Sequence, residues 1–132
     1  MDMKLQRQLF KRFPKLFVQR KLPCSQTCLC WGLECGNGWF NIINDLCHNL
    51  QGIGADIEFS QIKEKFGTLR VYYDNNGECD ASDVDELIDY AEKASKDTCE
   101  DCGSMVGVTQ TNGWIVTLCK PCMKRYKERN NK

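Results

Sequence analysis

Leu5, Leu9 and Phe13 recur at helical spacing, and Pro14 ends or redirects that helix because proline lacks an amide donor and restricts the residue before it. Leu16 and Phe17 resume the apolar pattern before a cysteine-bearing loop. Trp39, Ile42, Ile43, Leu46, Cys47 and Leu50 then repeat at helical intervals, with Asn37 placed to cap the helix and Gly52 and Gly54 to end it. Past Gly54 the period changes: Ile57 to Lys65 and Leu69 to Tyr73 read as two strands around a turn at Gly67, an antiparallel pair. After a turn at Asp74-Asn75-Asn76-Gly77, the residues Val84, Leu87, Ile88, Ala91 and Ala94 share one helical stripe, for which Ser82 with Asp83 offers a cap. The opposite face carries Asp85, Glu86, Asp89 and Glu92 and is expected to be wet. Val106 to Gln110 and Trp114 to Leu118 are strand-like runs around Thr111-Asn112-Gly113, where Asn-Gly signals a hairpin. Pro121 suits the first turn of a last helix that continues through Met123, Tyr126 and Lys127.

Cysteine spacing adds chemistry to this pattern. Cys99-Glu100-Asp101-Cys102 and Cys119-Lys120-Pro121-Cys122 are two Cys-x2-Cys pairs separated by sixteen residues. Such a pair folds into a knuckle that aims both thiolates at one ion, and two pairs complete the four-thiolate shell that zinc prefers. The order of knuckle, hairpin and ligand-bearing helix start is treble-clef-like, with a zinc ribbon as the close alternative. A shell of four thiolates leaves no open position for water or substrate, so the expected Zn2+ is structural. Cys24, Cys28, Cys30 and Cys35 could form a second metal site, although their spacing matches no common knuckle; the alternative is small apolar thiols packed near Trp31 and Trp39. Cys47 lies on an apolar stripe and reads as core.

The fold class is therefore α+β, with a helix and hairpin region over residues 1–98 and a four-cysteine module over residues 99–132, packed as one compact domain. A chain of 132 residues, 42% hydrophobic and 27% charged, excludes a multidomain enzyme, a disordered chain and a membrane span. Ten cysteines are far above ordinary usage, and in a reducing compartment that excess points to metal before disulfides. The opening Met-Asp-Met-Lys-Leu-Gln-Arg lacks the apolar stretch of a secretory signal, which gives the expectation of a cytoplasmic protein.

Net charge is zero, but the signs are segregated. Residues 1 to 21 carry seven Lys or Arg against Asp2, and residues 119 to 132 carry six against Glu128. Between Asp74 and Asp101 stand eleven acids against Lys93 and Lys96, a surface that repels phosphate backbones. Within the central hairpin, alternation puts Lys63 and Lys65 on one side of the first strand and Arg70 and Tyr72 on one side of the second. If those sides coincide, they form a cationic and aromatic surface suited to a phosphate and a base. The bland reading is a half-exposed hairpin with long solvated side chains. His48, the single histidine, falls on the polar side of its helix and reads as solvated. No nucleophile elbow, phosphate-binding glycine loop or metalloprotease helix motif is present.

The succession Trp31-Gly32-Leu33-Glu34-Cys35-Gly36-Asn37-Gly38-Trp39, Lys63-Glu64-Lys65-Phe66-Gly67-Thr68-Leu69-Arg70, Cys99-Glu100-Asp101-Cys102-Gly103, Gly113-Trp114 and Leu118-Cys119 resembles a family of small zinc-ribbon-like proteins found in phages and prophages, over roughly residues 13 to 122. That family often has Asp where Asn37 stands, and some members replace the last cysteine by histidine. The resemblance implies a mobile-element origin and a host cytoplasm as location, and it brings no catalytic residues. By analogy it favours an anti-defence role.

The leading expectation is a non-enzymatic binding protein that uses Lys63, Lys65, Arg70 and Tyr72 to sequester an anionic small ligand such as a nucleotide signal. A nucleic-acid or transcription-related module using Lys120, Lys124, Arg125, Lys127 and Arg129 is the second. The third is a protein-protein inhibitor of a host factor, anchored by Trp31, Trp39 or Trp114. An enzyme comes last for want of a convincing acid-base pair.

Overall fold

A computed structural model describes residues 1–77 and 79–130. The chain begins with helix α1 (Met3–Arg12), whose Leu9 is fully buried and which stops at Phe13, the residue before Pro14. Short 3-10 turns at Val18–Lys21 and Leu29–Trp31 lead into strand β1 (Leu33–Glu34). Helix α2 (Phe40–Gly52) buries Ile43, Leu46, Cys47 and Leu50. The long hairpin is β2 (Ile57–Lys65) and β3 (Thr68–Asn75), and helix α3 (Ala81–Ser95) buries Val84, Ile88 and Ala91. Strands β4 (Thr109–Gln110) and β5 (Thr117–Leu118) precede helix α4 (Lys120–Asn130). The architecture is α+β, as the periodicity predicts. No helix among the described residues is long and apolar enough to cross a membrane.

Three strands form the main sheet in the order β1-β2-β3, with β1 parallel to β2 and β2 antiparallel to β3. Its inner face sends Leu33, Ile57, Phe59, Ile62, Leu69 and Val71 into the main core, where they meet Phe17, Trp39, Leu50 and Val84. A bulge between Phe59 and Gln61 resets the alternation, so both Phe59 and Ile62 point inward. A second, smaller apolar cluster of Leu118 and Met123 forms around Cys99, Cys119 and Cys122.

Each open sheet edge is closed by helix side chains. On the β1 side, Gln6 of α1 accepts the Leu33 N–H at 3.0 Å. On the β3 side, the Ser95 hydroxyl accepts the Leu69 N–H at 2.9 Å and the Glu92 carboxylate accepts the Val71 N–H at 3.0 Å. Two outward N–H groups of an edge strand thus find acceptors one helical turn apart on α3, which removes a template for intermolecular pairing.

Several details differ from the sequence reading. Asn37 does not cap α2: residues Asn37–Trp39 form a 3-10 turn, and the Asn37 side-chain oxygen accepts the Asp2 N–H at 2.8 Å instead. The α3 cap is Asp80, which accepts the Ser82 N–H at 2.9 Å and the Ser82 hydroxyl at 2.8 Å, two bonds that lower its carboxyl pKa. The second hairpin is shorter than Val106–Gln110 with Trp114–Leu118. Gly107 (φ +65°) breaks the first run, and Thr111 bridges a six-residue loop by accepting the Val116 N–H and donating to the Trp114 carbonyl.

Candidate metal centre and cationic face

Cys99 and Cys102 sit on a knuckle closed by the Gly103 N–H donating to the Cys99 carbonyl at 2.9 Å, with Gly103 at φ +83°. Cys119 ends the second hairpin and Cys122 lies in the first turn of α4, so the hairpin and the helix bring the second pair to the first. The four sulfurs all lie within 4.8 Å of one another, with Cys102 Sγ 3.6 Å from Cys119 Sγ. Three of these cysteines are buried and Cys102 is exposed. All four thiols are free, and such a cluster could hold a metal ion.

The surroundings favour a thiolate at Cys99 and disfavour one at Cys102 and Cys122. Burial pushes the Cys99 thiol up, but backbone N–H groups of Cys102, Cys119 and Asp101 aimed at its sulfur bring it down to about 7. Burial and the neighbouring thiols raise Cys122, whose sulfur also accepts the Arg125 guanidinium N–H at 3.0 Å. Thiolates this close repel one another and a cation among them would relieve that repulsion, so the four residues could hold a metal ion.

The knuckle is clasped by the segment around Gly36 and Gly38. Glu100 accepts the Gly38 N–H on its carbonyl at 2.7 Å and the Gly36 N–H on its carboxylate at 2.9 Å, while its own N–H donates to the Thr117 carbonyl at 3.0 Å. A Cβ at either glycine would collide with Glu100. Trp39, buried in the main core, donates its indole N–H to the Thr98 carbonyl at 3.0 Å. Trp39 is fully buried and so cannot serve as the exposed anchor of a protein-protein contact that the sequence predicts for it. Trp31 and Trp114 are exposed.

The cysteines of the first loop do not assemble a second four-sulfur site. Cys24 and Cys30 are joined in a disulfide, Cys28 is exposed, and Cys35 is buried, its thiol pushed up to about 12 by desolvation. Two sulfurs bonded to each other have no thiolate to give, and the single cluster of metal-ligating groups among the described residues is the C-terminal one. Cys47 is buried in the core as its helical position requires, and His48 is exposed.

On the main sheet, Lys63 pairs directly with Arg70, Lys65 with Thr68 and Gln61 with Tyr72. Directly opposed residues of an antiparallel pair share a face, so Lys63, Lys65, Arg70 and Tyr72 all stand on the outer side. Their sides coincide. Glu34 of β1 is in register with Lys63 on the same face, yet among the described residues no carboxylate lies within ion-pairing distance of these cations; the one ion pair among the described residues is Lys93 with Asp89. Arg70 Nε is buried and has no hydrogen-bond acceptor among the described residues.

No protein-family model, curated protein or solved structure matches the chain.

Proposed function

We propose that the chain is a non-enzymatic binding protein, stabilised by one structural zinc in a treble-clef module, that holds an anionic ligand such as a nucleotide on the outer face of its main sheet. Zinc is supported by the donor set. A tetrahedral zinc with Zn–S near 2.3 Å sets its sulfurs about 3.8 Å apart, and the Cys102 to Cys119 separation is 3.6 Å. Soft thiolates select zinc over the hard divalent ions. Cys99, Cys102, Cys119 and Cys122 would fill the shell, and Arg125 would offset part of its negative charge. With no position left for water, such an ion supplies folding energy rather than a nucleophile.

The ligand surface rests on one observation: the β2-β3 register gathers Lys63, Lys65 and Arg70 beside Tyr72 with no ion-paired acid among the described residues. Unpaired cations on neighbouring strands repel one another, and an anion relieves that repulsion through charge-assisted hydrogen bonds. The resemblance to phage proteins supports reading this as sequestration of a host nucleotide signal. A thermal-shift titration with GMP and with inorganic phosphate tests it. We expect stabilisation by both, and its loss in the Lys63→Ala, Arg70→Ala double variant; an unchanged shift in that variant rules the surface out.

A second reading is favoured by α4, where Lys120, Lys124 and Lys127 line a groove of about 460 Å³ together with Thr109, Met123 and the single acid Glu128. That face suits the phosphates of a nucleic acid. Binding there should weaken steeply with added salt, whereas an enclosed small ligand responds less.

A further inference from the structure

The turn between β2 and β3 is built against the usual preference. Phe66 (φ +54°) and Gly67 (φ +78°) are the two central residues of a two-residue hairpin loop, both left-handed. This turn selects Asn-Gly or Gly-Gly, because a residue with a bulky Cβ substituent is strained there. Phe66 offsets little of that strain by burial, since it is 65% exposed. Its ring is therefore held in solvent at a cost to the fold.

A second aromatic lines the same cleft. Trp114, 80% exposed, occupies the loop between β4 and β5, and its backbone is fixed by Thr111 donating to its carbonyl at 2.6 Å. The two loops are locked together below the rings. The Thr117 hydroxyl donates to the Gly67 carbonyl at 2.6 Å, and Ile115 packs so closely on Gly67 that a Cβ there would stand 2.6 Å from its Cγ2. Between the tips lies a cleft of about 220 Å³ lined by Glu64, Lys65, Phe66, Gly113, Trp114 and Ile115.

Lys65 belongs both to this cleft and to the cationic face, and its ammonium lies 5.4 Å from the centre of the Phe66 ring. Glu64 already accepts the Gly67 N–H at 2.7 Å, but a carboxylate has further acceptor sites for a donor inside the cleft. Two aromatics and a carboxylate lining one cleft, with Lys65 shared between it and the cationic face, match a planar base that donates hydrogen bonds and carries a phosphate.

We propose that Phe66 and Trp114 form a stacking slot for the base of a mononucleotide, guanine-like in presenting adjacent N–H donors to Glu64, while Lys65, Lys63 and Arg70 take its phosphate. This rests on the anion-binding reading of the sheet face and names its ligand class. The test is a titration of the intact, metal-loaded chain by tryptophan emission in a Trp31→Phe background, where Trp114 is the exposed indole. The probes are GMP, ribose 5-phosphate and guanosine. We expect GMP to quench emission and to bind on the order of tenfold more tightly than ribose 5-phosphate, the scale of one stacked base.

Trp114→Leu, followed by calorimetry, and Phe66→Asn should each lose that advantage. Phe66→Asn carries the sharper outcome: Asn tolerates the left-handed turn, so melting temperature should hold or rise while GMP affinity falls to that of ribose 5-phosphate. If both variants keep wild-type GMP affinity, or ribose 5-phosphate binds as tightly as GMP, the slot is refuted and the anion face survives. If guanosine binds and neither phosphate compound binds better, the slot stands and the anion face falls. A short single strand binding far more tightly than GMP would refute the mononucleotide in favour of a polymer.

Discussion

A Cβ on Gly38 would stand 2.6 Å from the Gly103 nitrogen and 2.7 Å from the Glu100 carbonyl carbon, both of them backbone atoms that cannot rotate away. Gly38→Ala must therefore push the knuckle off the segment that clasps it. We expect a loss of about 1–3 kcal/mol, the usual range for overpacking, together with weaker retention of metal in competition with a chelator. Gly52, with open space around its α-carbon, is the control: alanine there should not destabilise the fold. Tyr73 makes a second test at this scale. Its hydroxyl donates to Asp85 at 2.6 Å, and that bond, more than burial, holds the phenol up at about 12. A folded-state pKa above the unfolded value near 10 stabilises the native state in full below pH 10 and less as pH rises toward 12. Absorbance titration should show one tyrosine ionising well above the others, absent in Tyr73→Phe, and that variant should lose the extra alkaline sensitivity of α3.

At the scale of elements, sequence periodicity reads well wherever an element buries one face by itself. Val84, Ile88 and Ala91 on α3, and the strands of the long hairpin, are legible because the period of their apolar residues is set by the element's own geometry. The metal cluster is legible for a related reason, since Cys-x2-Cys spacing is a property of one local turn. What stays hidden depends on a partner distant in the chain. Strand β1 has two residues and exists through its pairing with Ile62 and Lys63. Asn37 has a capping side chain but gives it to Asp2. The Cys24 to Cys30 bond looks from spacing like half of a metal site. Phe66 and Trp114 lie 48 positions apart and come to line one cleft through packing of Gly67 on Ile115 and Thr117. Long-range capping of the sheet edge is testable. Glu92→Ala should leave the Val71 N–H without an acceptor and cost about 1–3 kcal/mol, with a greater tendency to associate through the opened edge; Glu92→Gln keeps a carbonyl oxygen in place and should lose less. Equal losses in both variants, measured by denaturant unfolding, would assign the effect to charge instead.

Across the whole molecule, the C-terminal module has too small an apolar cluster to stand on packing alone, with Leu118 and Met123 as its buried side chains beside the cysteines. It gains support from two directions: the proposed ion at its centre, and hydrogen bonds to the main body through Gly36 to Glu100, Gly38 to Glu100 and Thr117 to Gly67. The last of these fixes the position of the β4-β5 loop against the long hairpin, so order in the metal module and order in the cleft between the hairpin tips are linked. A chelator should then act in sequence. Removing the ion leaves thiolates facing one another within 4.8 Å, which repel or take up protons, and the knuckle and the start of α4 loosen first. Amide exchange should rise across residues 99–130 and at Gly67, while Ile43, Ile62 and Val84, fully buried in the main core, stay protected. The metal-loaded chain should carry one zinc, and Cys99→Ser or Cys122→Ser should reproduce the chelated exchange pattern. Uniform loss of protection across the chain would instead mean that the module and the sheet fold as a single cooperative unit, with the ion supporting both.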